Sequence, residues 1–423
     1  MNVNMGFEGI NFPPIFYAGL LLLLAFFAGQ IAFRARMPRI TGYLLVGVLF
    51  GPSALGVFPE KIVNEQFSFI VDLGLGFIAF SIGGSLRWKG IRKLGKTILT
   101  ITFMQAIGAF VVVLAAIYLL FPLITALPFF NGGEAALGSK EVLSMGIIVG
   151  AMSAATAPGA VLALVHQYRS HGKFTNILLG IVALDDAFAI AMFAFALPIA
   201  MVILNATNAD FITIAKEVYL GISLSIVLGL IMGYFFKHIS KFAKSRQEIL
   251  ALITGTILML YGITLYFEAS AILSNMVFGF TVINYSAGRT SSIFDAVEDI
   301  EEPVFSMFFA IAGAHMDLSI LISSGVLGII LVASRFLGKF VGTMIGGALA
   351  GLEPEKSKYL GLGLLPKAGV TVALLIEAGY AMGDNYITSL MVNAVLASII
   401  INEIIAPFFV KIALFKSGEV VNK

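Results

Sequence analysis

The stretch Ile181-Val-Ala-Leu-Asp185-Asp186-Ala-Phe-Ala-Ile190 places two adjacent carboxylates inside an apolar run that covers residues 173–204. A run of that length can cross the hydrocarbon layer of a bilayer, which is roughly 30 Å thick, as a helix. An ionisable side chain deep in such a span is costly to bury and is a functional-site candidate by default. The stretch therefore predicts a transmembrane helix that carries a functional site.

The composition of the whole chain is typical of a membrane protein. Of its 423 residues, 59% are hydrophobic and 12% are charged, whereas soluble domains usually contain about 25% charged residues. Because there is no cysteine, disulfides, thiolate metal sites and cysteine nucleophiles are excluded. The sequence has no long basic run, so we expect no nucleic-acid partner. It also lacks nucleotide-binding loops and nucleophile–base motifs, so we expect neither an enzyme nor a cofactor.

About thirteen apolar runs are long enough to span a bilayer. They cover residues 15–33, 40–57, 67–86, 97–122, 141–167, 173–204, 211–236, 248–267, 269–286, 303–321, 323–350, 359–381 and 386–413. Lysine and arginine are concentrated in alternate loops, and the positive-inside rule then places the N-terminus outside and the C-terminus in the cytoplasm. We predict an all-α polytopic protein of the cell inner (plasma) membrane.

An internal repeat relates the two halves of the chain. Residues 105–111 (Gln-Ala-Ile-Gly-Ala-Phe-Val) are matched by residues 335–341 (Arg-Phe-Leu-Gly-Lys-Phe-Val). Seven predicted helices separate the two copies, so the copies face opposite ways across the membrane, which is typical of secondary transporters. We predict two inverted six-helix repeats, 15–204 and 248–413, joined by a linking helix at 211–236.

Two of the apolar runs contain a proline among small residues, at 153–159 (Ser-Ala-Ala-Thr-Ala-Pro-Gly) and at 365–369 (Leu-Pro-Lys-Ala-Gly). Proline removes a donor and clashes with the preceding helical turn. We therefore expect both helices to unwind at Pro158 and near Lys367 and to cross, freeing carbonyls and the Thr156 hydroxyl. Lys367 is expected to offset the dipole ends of this crossing. A plain proline kink in each helix is the alternative.

Buried charges need partners. Two like charges at Asp185 and Asp186 cannot both ionise cheaply, so one carboxylate needs a fixed cation while the other holds a proton or a cation. Arg335 stays charged when buried, and Asp185 is its natural partner; backbone carbonyls at a helix break are the alternative. Lys339, one turn after Arg335, is expected to extend to the cytoplasmic side.

Glu403 falls where the repeat would place a counterpart of the aspartate pair. It is interpreted either as a structural polar contact or as an ion ligand. Gln105, the counterpart of Arg335 in the repeat, is expected to be a hydrogen-bond partner between helices.

These features together resemble the cation:proton antiporter superfamily, specifically its Kef- and NapA-like branch. The similarity covers about residues 15 to 412. Its motifs are Ala155-Thr156-Ala-Pro158, Leu184-Asp185-Asp186, Phe80-Ser-Ile-Gly83, Glu302-Pro303-Val-Phe305, Arg335-Phe-Leu-Gly338-Lys and Pro366-Lys367-Ala-Gly369.

The resemblance implies a homodimer that works by elevator-like alternating access. It implies that Asp186 binds the cation or the proton, that Thr156 completes the site and that Asp185 pairs with the basic residue of the eleventh run. Electrogenic members of the family carry lysine where this chain has Arg335, so the stoichiometry is open. The implied ion-translocating core comprises 67–122, 141–204, 303–350 and 359–413, and the remaining helices form a dimerisation domain.

From these observations we expect an antiporter that exchanges a monovalent cation, Na⁺ in preference to K⁺ or Li⁺, for protons. Its partners are these ions, membrane lipid and a second copy of the chain. A sodium-coupled organic-anion symporter of related topology is the main alternative, and the buried aspartate pair argues against it. A cation channel is a weaker alternative, because a channel has no need of inverted broken helices.

Overall fold

A computed structural model describes residues 12–34, 39–86, 95–125, 138–205, 211–267, 269–285, 290–316, 318, 321–367, 369–383 and 385–420. Within these ranges some side chains are not described, and that of Glu403 is one of them. The described residues form α-helices, two short helical turns and one isolated antiparallel bridge between Ser170 and Val420. The predicted all-α class is confirmed.

The chain divides into two compact units, and the first comprises Met1–Arg87 and Tyr219–Ser319. Its helices are α1 (Pro14–Arg34), α2 (Arg39–Phe50), α3 (Ser68–Ser85), most of α8 (Phe211–Ile239), α9 (Arg246–Tyr266), α10 (Ala271–Tyr285) and α11 (Thr290–Ala314). Small residues allow the helix backbones to approach closely: a Cβ on Gly83 of α3 would overlap the carbonyl of Met276 in α10. Such contacts drive helix association in lipid, where hydrophobic burial between helices gives no advantage.

The second unit comprises Trp88–Val218 and Ile320–Lys423. Its helices are α4 (Gly95–Thr125), α5 (Ser139–Met152), α6 (Pro158–Gln167), α7 (Lys173–Asn205), α12 (Leu321–Leu349), α13 (Pro354–Gly363), α14 (Gly369–Met382) and α15 (Tyr386–Lys416). Helices α4 and α12 lie backbone to backbone, because Gly108 and Gly338 face each other's carbonyl groups. These glycines are the matched positions of the predicted repeat.

Several of the described helices meet the requirements of a membrane span. Six are long and apolar enough to cross a bilayer, and a bent seventh, α15, qualifies if its two parts count as one span. Four more are apolar but shorter, namely α2, α3, α10 and α14. The chain is therefore a multi-pass membrane protein, and the apolar runs at 248–267 and 269–286 are separate helices, α9 and α10.

The two compact units do not coincide with the division implied by the family resemblance. The translocating core implied by the family resemblance includes the ranges 67–122 and 303–350, and therefore α3 and the second half of α11. Helices α3 and α11 belong to the first compact unit, whereas every residue of the predicted ion site belongs to the second. Which helices move during transport stays a prediction, because compactness alone does not report motion.

Candidate functional site

Two interrupted helices meet at the site. The backbone leaves helical geometry between the end of α5 and the start of α6, and again between α13 and α14. The two breaks contact each other directly, since the N–H of Ala157 donates a hydrogen bond of 3.0 Å to the carbonyl of Pro366. Pro158 is the first residue of α6, where its missing N–H costs nothing. The predicted interruption of both helices is confirmed.

Arg335 lies between the breaks and holds their free carbonyls. Its Nε donates to Ser153 O at 3.0 Å, Nη1 donates to Leu365 O at 2.6 Å, and Nη2 donates to Ala155 O at 2.6 Å. The first and third carbonyls follow the end of α5, and the second follows the end of α13. Helix C-termini expose unpaired carbonyls and carry partial negative charge. One buried guanidinium therefore neutralises two helix ends.

This geometry corrects the ion pair predicted from the sequence. Arg335 was the natural partner for Asp185, but its described hydrogen bonds all go to backbone carbonyls. The physical reason is that the two helix breaks offer several backbone carbonyls as acceptors, which suits the several donors of an arginine side chain. The alternative reading of Arg335, as a partner of carbonyls at a helix break, is the correct one.

Lys339 supplies the cation for Asp185 instead. Its Nζ lies 3.1 Å from Asp185 Oδ2 and 2.5 Å from the Thr156 hydroxyl oxygen. The prediction that Lys339 extends to the cytoplasmic side is wrong, because its side chain is fully buried. It lies one turn after Arg335 on the same face of α12, so both cations point into the site.

The Asp185 carboxylate is fully engaged by protein donors. In addition to Lys339, the Thr156 hydroxyl donates to Oδ2 at 2.5 Å, and Gln105 Nε2 donates to Oδ1 at 2.5 Å. Gln105 is thus a hydrogen-bond partner between α4 and α7, as predicted. Charge-assisted hydrogen bonds of this kind are the strong ones, so Asp185 has what a permanently ionised buried carboxylate needs.

Asp186 has the opposite environment. It is 5% exposed, and among the described residues its Oδ1 atom has no hydrogen-bond partner. Burying an unpaired carboxylate oxygen is costly unless it carries a proton or binds a cation. The adjacent Asp185 adds like-charge repulsion, which also favours a neutralised Asp186. The two aspartates are therefore not equivalent: both oxygens of Asp185 accept hydrogen bonds, whereas Oδ1 of Asp186 has no partner among the described residues.

Lys367 lies in the second break, between α13 and α14. Its Nζ donates to Ser398 Oγ on α15 at 2.8 Å, and within the described part of the chain it has no carboxylate within 4.0 Å. That Lys367 offsets the dipole ends of the broken helices stays a prediction. Glu403 lies on α15, but its side chain is outside the described residues, so its assignment stays a prediction.

Two polar side chains of α15 contact the second break and were not predicted from the sequence. Asn402 donates from Nδ2 to Leu365 O at 2.9 Å, and Ser398 accepts the hydrogen bond from Lys367. Both lie on one face of an apolar span, four residues apart. Helical spacing of isolated polar residues in such a run would have been the signal that finds them.

Comparisons with known proteins agree on one family. A model described as sodium/hydrogen exchanger, transmembrane, matches residues 21–416. The high-affinity Na⁺/H⁺ antiporter NhaS3 of Synechocystis is 23% identical, over 96% of this chain and 92% of that protein. The ammonium/H⁺ antiporter subunit AmhT of Alkalihalophilus pseudofirmus is 21% identical, over 86% of each chain. Among solved structures, the sodium proton antiporter MjNhaP1 of Methanocaldococcus jannaschii has a TM-score of 0.75 at 18% identity, covering 95% of this chain and 98% of that one.

Proposed function

Because this chain belongs to the transmembrane sodium/hydrogen exchanger family, we propose that it is a secondary antiporter that exchanges a monovalent cation for protons. The observation that carries the proposal is the buried Asp186 carboxylate, whose Oδ1 has no partner among the described residues. We favour Na⁺ over K⁺ or Li⁺ as the cation. The names of related proteins include both sodium and ammonium, so the family does not fix the ion.

Coupling follows from the electrostatics of Asp186. A protonated carboxyl group is neutral, and a carboxylate that holds a monovalent cation is neutral as well. The empty carboxylate is a bare charge, which is costly to move through a region of low dielectric constant. The loaded site can therefore change its access from one side to the other while the empty site cannot. Proton and cation compete for Asp186, and each crosses only in exchange for the other.

The neighbouring groups complete the cation site in this proposal. Carboxylate and hydroxyl oxygens are ligands that suit hard cations, and those of Asp185 and Thr156 are adjacent to Asp186. Both oxygens are held by Lys339 in the structure. We propose that the incoming cation displaces the Lys339 ammonium from these oxygens. Arg335 holds the two helix breaks in place throughout.

The larger movements belong to the same proposal. Elevator-like alternating access, a homodimer, and an inner-membrane location with the N-terminus outside are supported by the family resemblance and by the distribution of positive charge.

Exchange measured in proteoliposomes tests the proposal. We expect Asp186→Asn to abolish cation-driven proton movement, because asparagine can neither bind a proton nor neutralise a cation at this position. Asp299→Asn is the matched control, since that carboxylate pairs with Arg246 near the surface and its side chain is 55% exposed. If Asp186→Asn retains pH-driven cation flux, the site assignment is wrong. Cation flux without proton counterflow would indicate a channel, and cation-dependent uptake of a labelled organic anion would indicate a symporter.

A further inference from the structure

The segment that follows α15 returns to the start of α7, the helix that carries the two aspartates. The Glu419 carboxylate accepts hydrogen bonds from the N–H of Phe174 at 2.8 Å and from the N–H of Thr175 at 2.9 Å. The Thr175 hydroxyl adds a third hydrogen bond at 2.9 Å. The backbone carbonyl of Glu419 accepts from the N–H of His171 at 3.2 Å. One residue thus holds both the connection before α7 and the first turn of α7.

The local sequence explains why α7 takes its cap from a distant residue. Gly172 precedes the helix and has no side chain to cap it, and the first turn contains no acidic residue. The φ of Gly172 is 156°, which favours glycine, and a Cβ at this position would overlap the carboxyl group of Glu419. The first N–H groups of a helix need acceptors, and a carboxylate also complements the positive end of the helix dipole. Gly172 leaves the space that Glu419 occupies.

Two further contacts attach the end of α15 to the same connection. The ring of Tyr168, just after α6, packs edge-on against Phe415 with 5.2 Å between centroids. The Lys411 ammonium lies 5.8 Å from the centre of the Tyr168 ring, within the range of a cation–π contact. The connection between α6 and α7 is therefore held by aromatic contacts as well as by the Glu419 cap.

We infer that Glu419 is a positioning residue for the exchange site, an inference that rests on the proposed roles of Thr156, Asp185 and Asp186. Thr156 lies two residues before α6, and the aspartates lie on α7 about 18 Å from its first residue, at 1.5 Å per residue. The cap fixes the connection that joins these two helices. Its loss lets α7 move relative to α6, which loosens the 2.5 Å hydrogen bond between the Thr156 hydroxyl and Asp185.

Hydrogen exchange and transport together test this inference. In Glu419→Ala we expect the amides of Phe174 and Thr175 to exchange about tenfold faster, as for a helix that has lost its cap. We expect the cation concentration that gives half-maximal antiport to rise by a similar factor, about tenfold at most. Glu419→Gln retains one acceptor oxygen and the size of the side chain, so its changes in amide exchange and in half-maximal cation concentration should be intermediate. This variant replaces Glu419→Ala in the test if the alanine protein does not fold.

Glu353→Gln is the matched control for the Glu419 variants. Glu353 lines the same cavity of about 130 Å³ as Glu419, but its carboxylate pairs with Lys356 at 3.0 Å. We expect this variant to leave the amides of α7 and the half-maximal concentration unchanged.

Two results would overturn the inference. Unchanged protection of the Phe174 and Thr175 amides in Glu419→Ala would show that the carboxylate does not hold α7. Lost protection with unchanged antiport kinetics would show that the cap does not position the site. Failure of the proposed function is distinguishable, because it appears as antiport in Asp186→Asn whatever the Glu419 variants do.

Discussion

The Nζ atom of Lys339 lies 3.1 Å from Oδ2 of Asp185, and both side chains are fully buried. Removing two charges from water is costly, and a buried pair is tolerated only when additional hydrogen bonds satisfy the remaining donors and acceptors. The Thr156 hydroxyl and the Gln105 amide meet that requirement for Asp185. The pair is therefore stable as a unit and costly to break from one side.

Lys339→Gln breaks the pair from one side. It leaves the Asp185 carboxylate buried without a cation, so we expect a loss of about 3–5 kcal/mol in the free energy of unfolding. Lys356→Gln is the control, because that exposed pair with Glu353 should contribute about 0–1 kcal/mol. Thermal unfolding of the purified protein in detergent gives the comparison. If Lys339→Gln and Lys356→Gln lower the free energy of unfolding by the same amount, the buried pair does not stabilise the site.

The charge moved in each cycle depends on the chemistry of Lys339. A lysine can release its proton when its partner leaves, whereas an arginine cannot. Exchange by the unaltered protein should therefore respond to a clamped membrane potential, since moving one charge is worth about 2.3 kcal/mol per 100 mV. Lys339→Arg should retain exchange but lose that response. If both proteins respond equally to the potential, Lys339 carries no proton.

Arg335 joins the two helix breaks. Its guanidinium donates to carbonyls of both breaks, and a single ammonium group cannot span the same set. Arg335→Lys should therefore lower the thermal unfolding temperature and reduce the exchange rate, whereas the exposed Arg246→Lys should change neither by much. Equal stability of the two variants would mean that the breaks do not need Arg335.

The sequence was sufficient to predict an all-α membrane fold and the two interrupted helices, but not the ion pairs. Hydropathy predicts α7, and the two prolines predict the breaks, because these features depend on local chemistry. The choice between Arg335 and Lys339 as partner of Asp185 depends on which side chain faces the carbonyls once the breaks meet. That is a property of tertiary packing. The role of Glu419 is also tertiary, since its partners Phe174 and Thr175 are distant in sequence.

Close packing between α4 and α12 gives a test of the fold itself. A Cβ on Gly338 would meet the carbonyl of Gly108 and the Cα of Ala109, which are backbone atoms and cannot move aside. Gly338→Ala should separate the helices and destabilise the protein by about 1–3 kcal/mol, as overpacking does. Gly325→Ala is the control on the same helix, because nothing lies within 4 Å of its Cβ position. That change should be neutral or slightly stabilising.

The pH dependence of antiport reports how many protons compete with the cation. While Asp186 is protonated, each unit of rising pH should lower the half-maximal cation concentration about tenfold if one proton competes, and about a hundredfold if two compete. Release of a second proton by Lys339 predicts the steeper slope for the unaltered protein and the shallower one for Lys339→Arg. Initial rates at several pH values and cation concentrations provide both slopes. A half-maximal concentration that does not change with pH in either protein would contradict competition at Asp186.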